Sequence, residues 1–189
     1  MKNGCRHHFI KAIQRILIIL ILALPPGCSN TQATDVQLNG NAQVYFSPHG
    51  GATEAIVEEI EKAKSEILVQ AYSFTSKEIA QALIGAHKRG VHIELVLDKS
   101  NRSDRYSAGD FAAHMGIRTY IDAEHQIAHN KIMIIDRTIV ITGSFNFTRA
   151  AEEKNAENLL IIRSKELATL YIENWNAHRR HSEEYEGRH

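Results

Sequence analysis

The 189 residues carry 22 basic and 22 acidic side chains, 43% apolar residues and three prolines, the makeup of a single globular domain that can bury a core without disulfides or a structural metal. Two cysteines in the whole chain exclude a disulfide-stapled scaffold. The balanced charge excludes a protein that coats nucleic acid through a uniformly basic surface.

Lys2, Arg6, Lys11 and Arg15 lead into an unbroken apolar run of nine residues, Ile16 to Leu24, followed by Pro25, Pro26 and small residues. This order reads as a signal peptide over residues 1–33, since nine residues fall short of the roughly 20 that cross a bilayer as a helix. Two cleavage points are open. Thr31-Gln32-Ala33 offers a small-residue site, and Leu24-Pro25-Pro26-Gly27-Cys28 faintly resembles a lipoprotein box. The first leaves a thiol-free chain over residues 34–189, periplasmic or secreted; the second makes Cys28 a lipid anchor to the envelope and brings in a membrane. Removing residues 1–33 takes four basic residues and no acidic one, leaving a charge of −4. Affinity for phosphate must then be local to a groove.

Val44-Tyr45-Phe46 opens a first strand, and Ala52 to Lys64 carries Ile56, Ile60 and Ala63 at helical spacing. Glu66 to Tyr72 is a second strand. Thr75-Ser76-Lys77-Glu78 has the form of a capping box for a helix running to Arg89 and stopping at Gly90. His92 to Asp98 is a third strand, Lys99 to Ala108 a charged surface loop, 108–115 a short helix, and Ile117 to Ile121 a fourth strand. Residues 129–135 and 138–142 form a hairpin about Asp136-Arg137, without the favoured glycine. Asn158 to Arg163 is a late strand. Ser164 caps a terminal helix with Leu167, Leu170, Tyr171 and Trp175 on one side, and the charged tail after His178 frays. The alternation predicts an α/β fold: a mixed, mainly parallel sheet flanked by helices on both faces.

Side chains alternate along a strand, so His129 and Lys131 point the same way about 6.6 Å apart and can share one phosphate. Asp136 has the opposite parity and lies roughly 16 Å from Lys131 along a straight strand, which makes it a turn or ion-pair residue. A two-residue turn sets Ile135 opposite Thr138, His129 opposite Ser144 and Lys131 opposite Thr142. Asn146 shares the parity of Ser144. A ring nitrogen, a cation, a hydroxyl and an amide then converge, the parts that bind a phosphoryl group and stabilise its developing charge.

The full pattern, His129-x-Lys131-x4-Asp136-x6-Gly143-Ser144-x-Asn146, resembles the signature motif of the phospholipase D superfamily. Its continuation from Phe145 through Asn158 resembles the small, single-motif bacterial endonucleases of that superfamily, a likeness extending in outline over residues 43–180. The resemblance implies a phospholipase D-like fold and a metal-independent phosphodiesterase with no cofactor and a phosphohistidine intermediate. His129 would be the nucleophile, Lys131 and Asn146 would bind phosphate oxygens, Ser144 would support the site, and Glu157 would orient the imidazole; Asp136 and Gly143 would be structural. Larger members carry two copies of the motif. This chain has one His-x-Lys at that spacing, so a second subunit supplies the other histidine, across the two-fold axis of a homodimer.

Elsewhere, plainer readings compete. Arg102 and Arg105 in the polar loop are candidate DNA contacts, although charged loops are common. His178 and His181 stand at i and i+3, but the sequence shows no third ligand, so a basic helix end is preferred to a metal site. DNA is the leading substrate, with RNA open. The same residues would serve a phospholipid phosphodiesterase, and the third reading is a catalytically silent module binding nucleic acid or the envelope.

Overall fold

The structure is a computed structural model describing residues 36, 40–104 and 107–188. The leader and Arg105 lie outside the described residues. Eight strands form one sheet: β1 (Ala42–Ser47), β2 (Glu66–Ala71), β3 (His92–Asp98), β4 (Arg118–Asp122), β5 (Lys131–Ile135), β6 (Ile139–Gly143), β7 (Glu157–Arg163) and β8 (Glu183–Glu184). Their order across the sheet is β1-β7-β6-β5-β2-β3-β4-β8. Among the described residues five α-helices accompany them: α1 (Ala52–Lys62), α2 (Lys77–Lys88), α3 (Ala108–His114), α4 (Arg149–Glu153) and α5 (Lys165–His181).

The sheet is mixed and has helices on both faces, as the sequence implies, but it is not mainly parallel: parallel pairing is confined to β2-β3-β4. There α2 and α3 serve as crossovers, and a crossover returns the chain in the same direction. The remaining pairs, β1-β7, β7-β6, β6-β5, β5-β2 and β4-β8, are antiparallel.

Alternation along β2 divides the core. Ile67, Val69 and Ala71 face a large cluster with Ile56 and Ile60 of α1, Ile79 and Leu83 of α2 and Ala112 of α3. Leu68 faces a smaller cluster under Ala168, Ile172 and Trp175 of α5. Each buried Val, Leu or Ile side chain among them contributes on the order of 1.5–3 kcal/mol. Trp175 places its ring in the smaller cluster while Nε1 donates to Val69 O at 2.9 Å.

Hydroxyl caps start four of the helices. Ser76 Oγ accepts from Ile79 N at 3.3 Å, Ser107 Oγ from Gly109 N at 3.2 Å, Thr148 Oγ1 from Ala151 N at 3.1 Å and Ser164 Oγ from Leu167 N at 3.2 Å. The expected capping box before α2 is not formed: the cap is Ser76, one residue later than Thr75, and the N–H groups of Thr75 and Ser76 both donate to Phe147 O, while Ser76 Oγ donates to Glu78. At α1 the cap residue is Gly51, and Glu152 of α4 replaces its missing side chain, accepting from Gly51 N at 3.0 Å and Thr53 N at 2.8 Å.

Two further expectations are corrected. Asp136 and Arg137 both take left-handed backbone conformations and Thr138 N donates to Ile135 O, but Thr138 is an extra residue and the ladder resumes with Ile135 opposite Ile139. The hairpin register thus slips by one. The tail does not fray at His178: α5 continues to His181, β8 pairs with β4, and Tyr185 N donates to Thr119 O at 2.8 Å.

Candidate active site

Strand order assembles the site. β6 runs antiparallel to β5 and β7, so its end at Gly143 lies beside their first residues, Lys131 and Glu157. β2 ends there too, with Ala71 opposite Lys131.

His129 is exposed just before β5, whereas Lys131 is buried. Lys131 Nζ lies 3.0 Å from His129 Nδ1 and donates to His129 O at 2.8 Å. A charged ammonium has no lone pair, so Nδ1 accepts and the ring's proton resides on Nε2. Tyr72, one residue past β2, sets its ring centroid 4.5 Å from that of His129 and 5.0 Å from Lys131 Nζ. Its N–H donates to Asn130 O at 2.8 Å, fastening β2 to the histidine-bearing segment. Burial pulls Lys131 below the ordinary lysine pKa, and the negative charge of Glu157 opposes that pull.

The slipped register removes the expected pairing of His129 with Ser144 and of Lys131 with Thr142. A kink at Gly143 presents Ser144 and Asn146 instead. Gly143 has φ +148°, and a Cβ there would stand 2.3 Å from Asn158 O. Ser144 N and Phe145 N both donate to that carbonyl, at 3.1 and 3.2 Å. Phe145 and Phe147 enter the core, and Phe147 bridges Phe74, laying this segment along the chain that follows Tyr72. Ser144 is exposed, with Oγ accepting from Asn158 N at 3.1 Å. Asn146 Oδ1 is buried and makes no hydrogen bond among the described residues.

Glu157 sits close enough to act on the charge of Lys131, but its carboxylate accepts from Asn155 Nδ2 at 3.1 Å, and among the described residues no hydrogen bond joins it to His129. Asp136 is remote from the cation. It accepts from Lys64 N at 2.9 Å and, through Oδ1, from Ser65 N at 2.8 Å, Ser65 Oγ at 2.8 Å and Glu66 N at 3.1 Å. Burial favours its neutral form, yet the hydrogen bonds from Ser65, Glu66 and Lys64 prevail and hold its pKa below the usual aspartate value. Arg102 is paired with Glu183.

Sequence reasoning missed Tyr72 and Asn158, whose roles depend on sheet order. The result is an accessible imidazole backed by an ammonium, with Ser144 and Asn146 following the end of β6 at the same edge of the sheet, an arrangement able to hold a phosphoryl group against a nitrogen nucleophile.

A family model described as "Cardiolipin synthase, PLD-like domain" matches residues 56–179. The chain is 44% identical over 135 residues to a protein named phospholipase D from Rickettsia typhi, covering 71% of this chain and 66% of that one, about two thirds of the relative's length. It is 29% identical over 127 residues to human mitochondrial cardiolipin hydrolase, covering 67% of this chain and half of that protein. The crystal structure of Nuc, a phospholipase D family member from Salmonella typhimurium, superposes with a TM-score of 0.75 at 39% identity, covering 77% of this chain and 98% of Nuc. Motif, fold and sequence likeness agree: this chain belongs to the phospholipase D superfamily and is a Nuc-like member of it.

Proposed function

We propose that the protein is a metal-independent phosphodiesterase, an endonuclease that hydrolyses DNA through a phosphohistidine intermediate. The observation that carries this reading is the buried Lys131 ammonium held 3.0 Å from the exposed His129 imidazole. It supplies fixed positive charge where a phosphoryl oxygen would otherwise need a metal ion. Substrate phosphate takes over the ammonium and the amide of Asn146. The freed imidazole turns and exchanges its proton through solvent, losing it from Nε2 and gaining one on Nδ1, so that Nδ1–H meets Glu157 and the bare Nε2 attacks phosphorus. As the new N–P bond forms, the P–O bond to the leaving group breaks and that oxygen takes a proton from the partner subunit's His129. Water, deprotonated by the same histidine, then displaces His129 and releases the phosphate end. The catalytic unit in this reading is a homodimer, exported to the periplasm or beyond.

Nucleic acid is favoured because the chain matches nearly the whole of Nuc. A phospholipid phosphodiesterase is the second reading. It is favoured by relatives named for lipid substrates and by Ile127, 54% exposed two residues before His129.

The test incubates plasmid DNA, single-stranded RNA and labelled phospholipid vesicles with the protein and with His129→Ala. DNA nicking that is lost in the variant, together with a trapped acid-labile phosphoprotein, is the expected result. Nicking by His129→Ala at the parent rate removes His129 from the chemistry. Faster turnover of vesicles than of DNA replaces the substrate assignment.

A further inference from the structure

A second cluster of ligating groups lies away from His129. Asp122, His125, His178 and His181 each offer one nitrogen or carboxylate oxygen, and these atoms all lie within 4.8 Å of one another. Asp122 closes β4 and is fully buried. Its Oδ2 lies 2.8 Å from His178 Nδ1, 3.0 Å from His125 Nδ1 and 3.3 Å from His181 Nε2. The three rings gather with centroids 4.8, 5.2 and 5.4 Å apart. His178 and His181 share a face on the last turn of α5, while His125 comes from the loop between β4 and β5.

Hydrogen bonding to a buried carboxylate accounts for part of this arrangement. It accounts least well for His181, whose buried Nε2 approaches Asp122 Oδ2 at 3.3 Å without the alignment of a hydrogen bond, while its Nδ1 faces Glu124 Oε2 at 3.3 Å. One nitrogen turned inward and the other held by an outer carboxylate is how a metal-ligating histidine is oriented. Three imidazoles and one carboxylate suit Zn²⁺ among the divalent cations, and they are too nitrogen-rich for Mg²⁺ or Ca²⁺. A tetrahedral ion with bonds of about 2.0–2.1 Å needs its ligand atoms roughly 3.3 Å apart, so the widest separations, up to 4.8 Å, must close while the 2.8 and 3.0 Å contacts to Asp122 Oδ2 open slightly.

We propose that Asp122, His125, His178 and His181 form a structural Zn²⁺ site that pins the β4–β5 loop to the C-terminal turn of α5. Four protein ligands fill the coordination sphere and leave no position for substrate, which separates the ion from the chemistry at His129. The location gives it a purpose. The loop carries His125 and, four residues later, His129; it is otherwise fastened by Lys99 Nζ to His125 O at 3.0 Å and by Ala128 N to Asp98 Oδ2 at 2.8 Å. An ion at its start would fix the approach of the nucleophile-bearing segment without touching the reacting atoms.

The test measures metal binding, so it is independent of nuclease or lipase activity. The full-length protein is stripped with chelator and titrated with Zn²⁺ by calorimetry, with bound metal counted by elemental analysis. Co²⁺ is then used as a spectroscopic probe. The expected result is one Zn²⁺ per chain, a visible Co²⁺ band of tetrahedral intensity, and a melting temperature raised by Zn²⁺ but not by Mg²⁺. His178→Ala/His181→Ala should weaken Zn²⁺ binding at least 100-fold, and Glu124→Gln roughly 10- to 100-fold. His125→Asn, altered only in the loop, provides a second ligand variant should the helix variant fail to fold. Absence of saturable one-to-one uptake, or undiminished uptake by His125→Asn or by a folded helix variant, overturns the site.

Discussion

Lys131 Nζ lies 3.0 Å from His129 Nδ1, a buried cation held against the imidazole by a second hydrogen bond to the histidine's own carbonyl. Replacing Lys131 by Met keeps most of the buried stem and removes the charge. Loss of one such preorganised donor costs about 10²–10³ in rate, so kcat should fall by that order while the thermal transition changes little. Retained kcat in steady-state nicking assays would take Lys131 out of the reaction.

The same contact sets an alkaline limit. Burial depresses Lys131 below its ordinary value of 10.5, against the pull of Glu157. Its charge is therefore lost at a lower pH than that of an exposed lysine. Activity should decline on the alkaline side with an apparent pKa under 10.5. Lys131→Arg, slower because guanidinium and ammonium differ in shape, should push that limb out of range. An identical alkaline limb in both proteins would assign it to another group.

Asp136 illustrates how much of the site was legible from sequence. Strand parity separated it from His129 and Lys131, and in the structure its carboxylate binds Ser65 and its neighbours, far along β5. Binary alternation is a local property, and it also placed the strands and helices of the β2-β3-β4 half. The hairpin register was not local: Thr138 is inserted after the turn, and nothing in its side chain announces that. Helix α4 spans five residues, too few for a helical period to show. Tyr72 and Asn158 join the site because β2 lies next to β5 and β7 next to β6, an order that spacing along the chain does not encode. The ligands beside His178 were hidden for the same reason, since Asp122 and His125 reach α5 only through the fold.

Asp136→Ala removes the acceptor of four hydrogen bonds and puts alanine at φ +49°. Hydrogen bonds to a charged group contribute about 1.5–3 kcal/mol each at most and overlap here, so a loss of roughly 2–3 kcal/mol by urea denaturation is expected. Asp136→Asn tolerates the backbone and should lose less. The pKa is depressed, so the contribution of Asp136 is fully present above the unfolded aspartate value of about 3.9 and disappears as pH falls through the lower folded value. The stability gap between wild type and Asp136→Asn should therefore close on acidification; a gap independent of pH would mean the charge contributes nothing.

Gly143→Ala tests the kink. The new Cβ would meet Asn158 O at 2.3 Å in a backbone conformation that alanine avoids. Either β7 moves away or Ser144 and Asn146 lose their presentation. Strain of this kind costs about 1–3 kcal/mol or more, and kcat should fall together with stability. A variant with unchanged melting temperature and unchanged kcat would show that the close approach is not needed.

Mixing subunits tests the shared site. If two copies of His129 serve one reaction centre on a two-fold axis, a dimer holding one His129→Ala chain lacks either the nucleophile or the proton donor and is inactive whichever it lacks. After unfolding and refolding equal amounts of both chains together, random pairing leaves about one quarter of the dimers fully wild type. Activity per total protein should then be about a quarter of the wild-type value and should follow the square of the wild-type fraction as the mixture is varied. Independent sites give one half and a straight line. Sedimentation of the same samples identifies the species present, so a linear dependence measured on verified dimers would overturn the shared centre, and activity carried by a monomer would overturn the dimer itself.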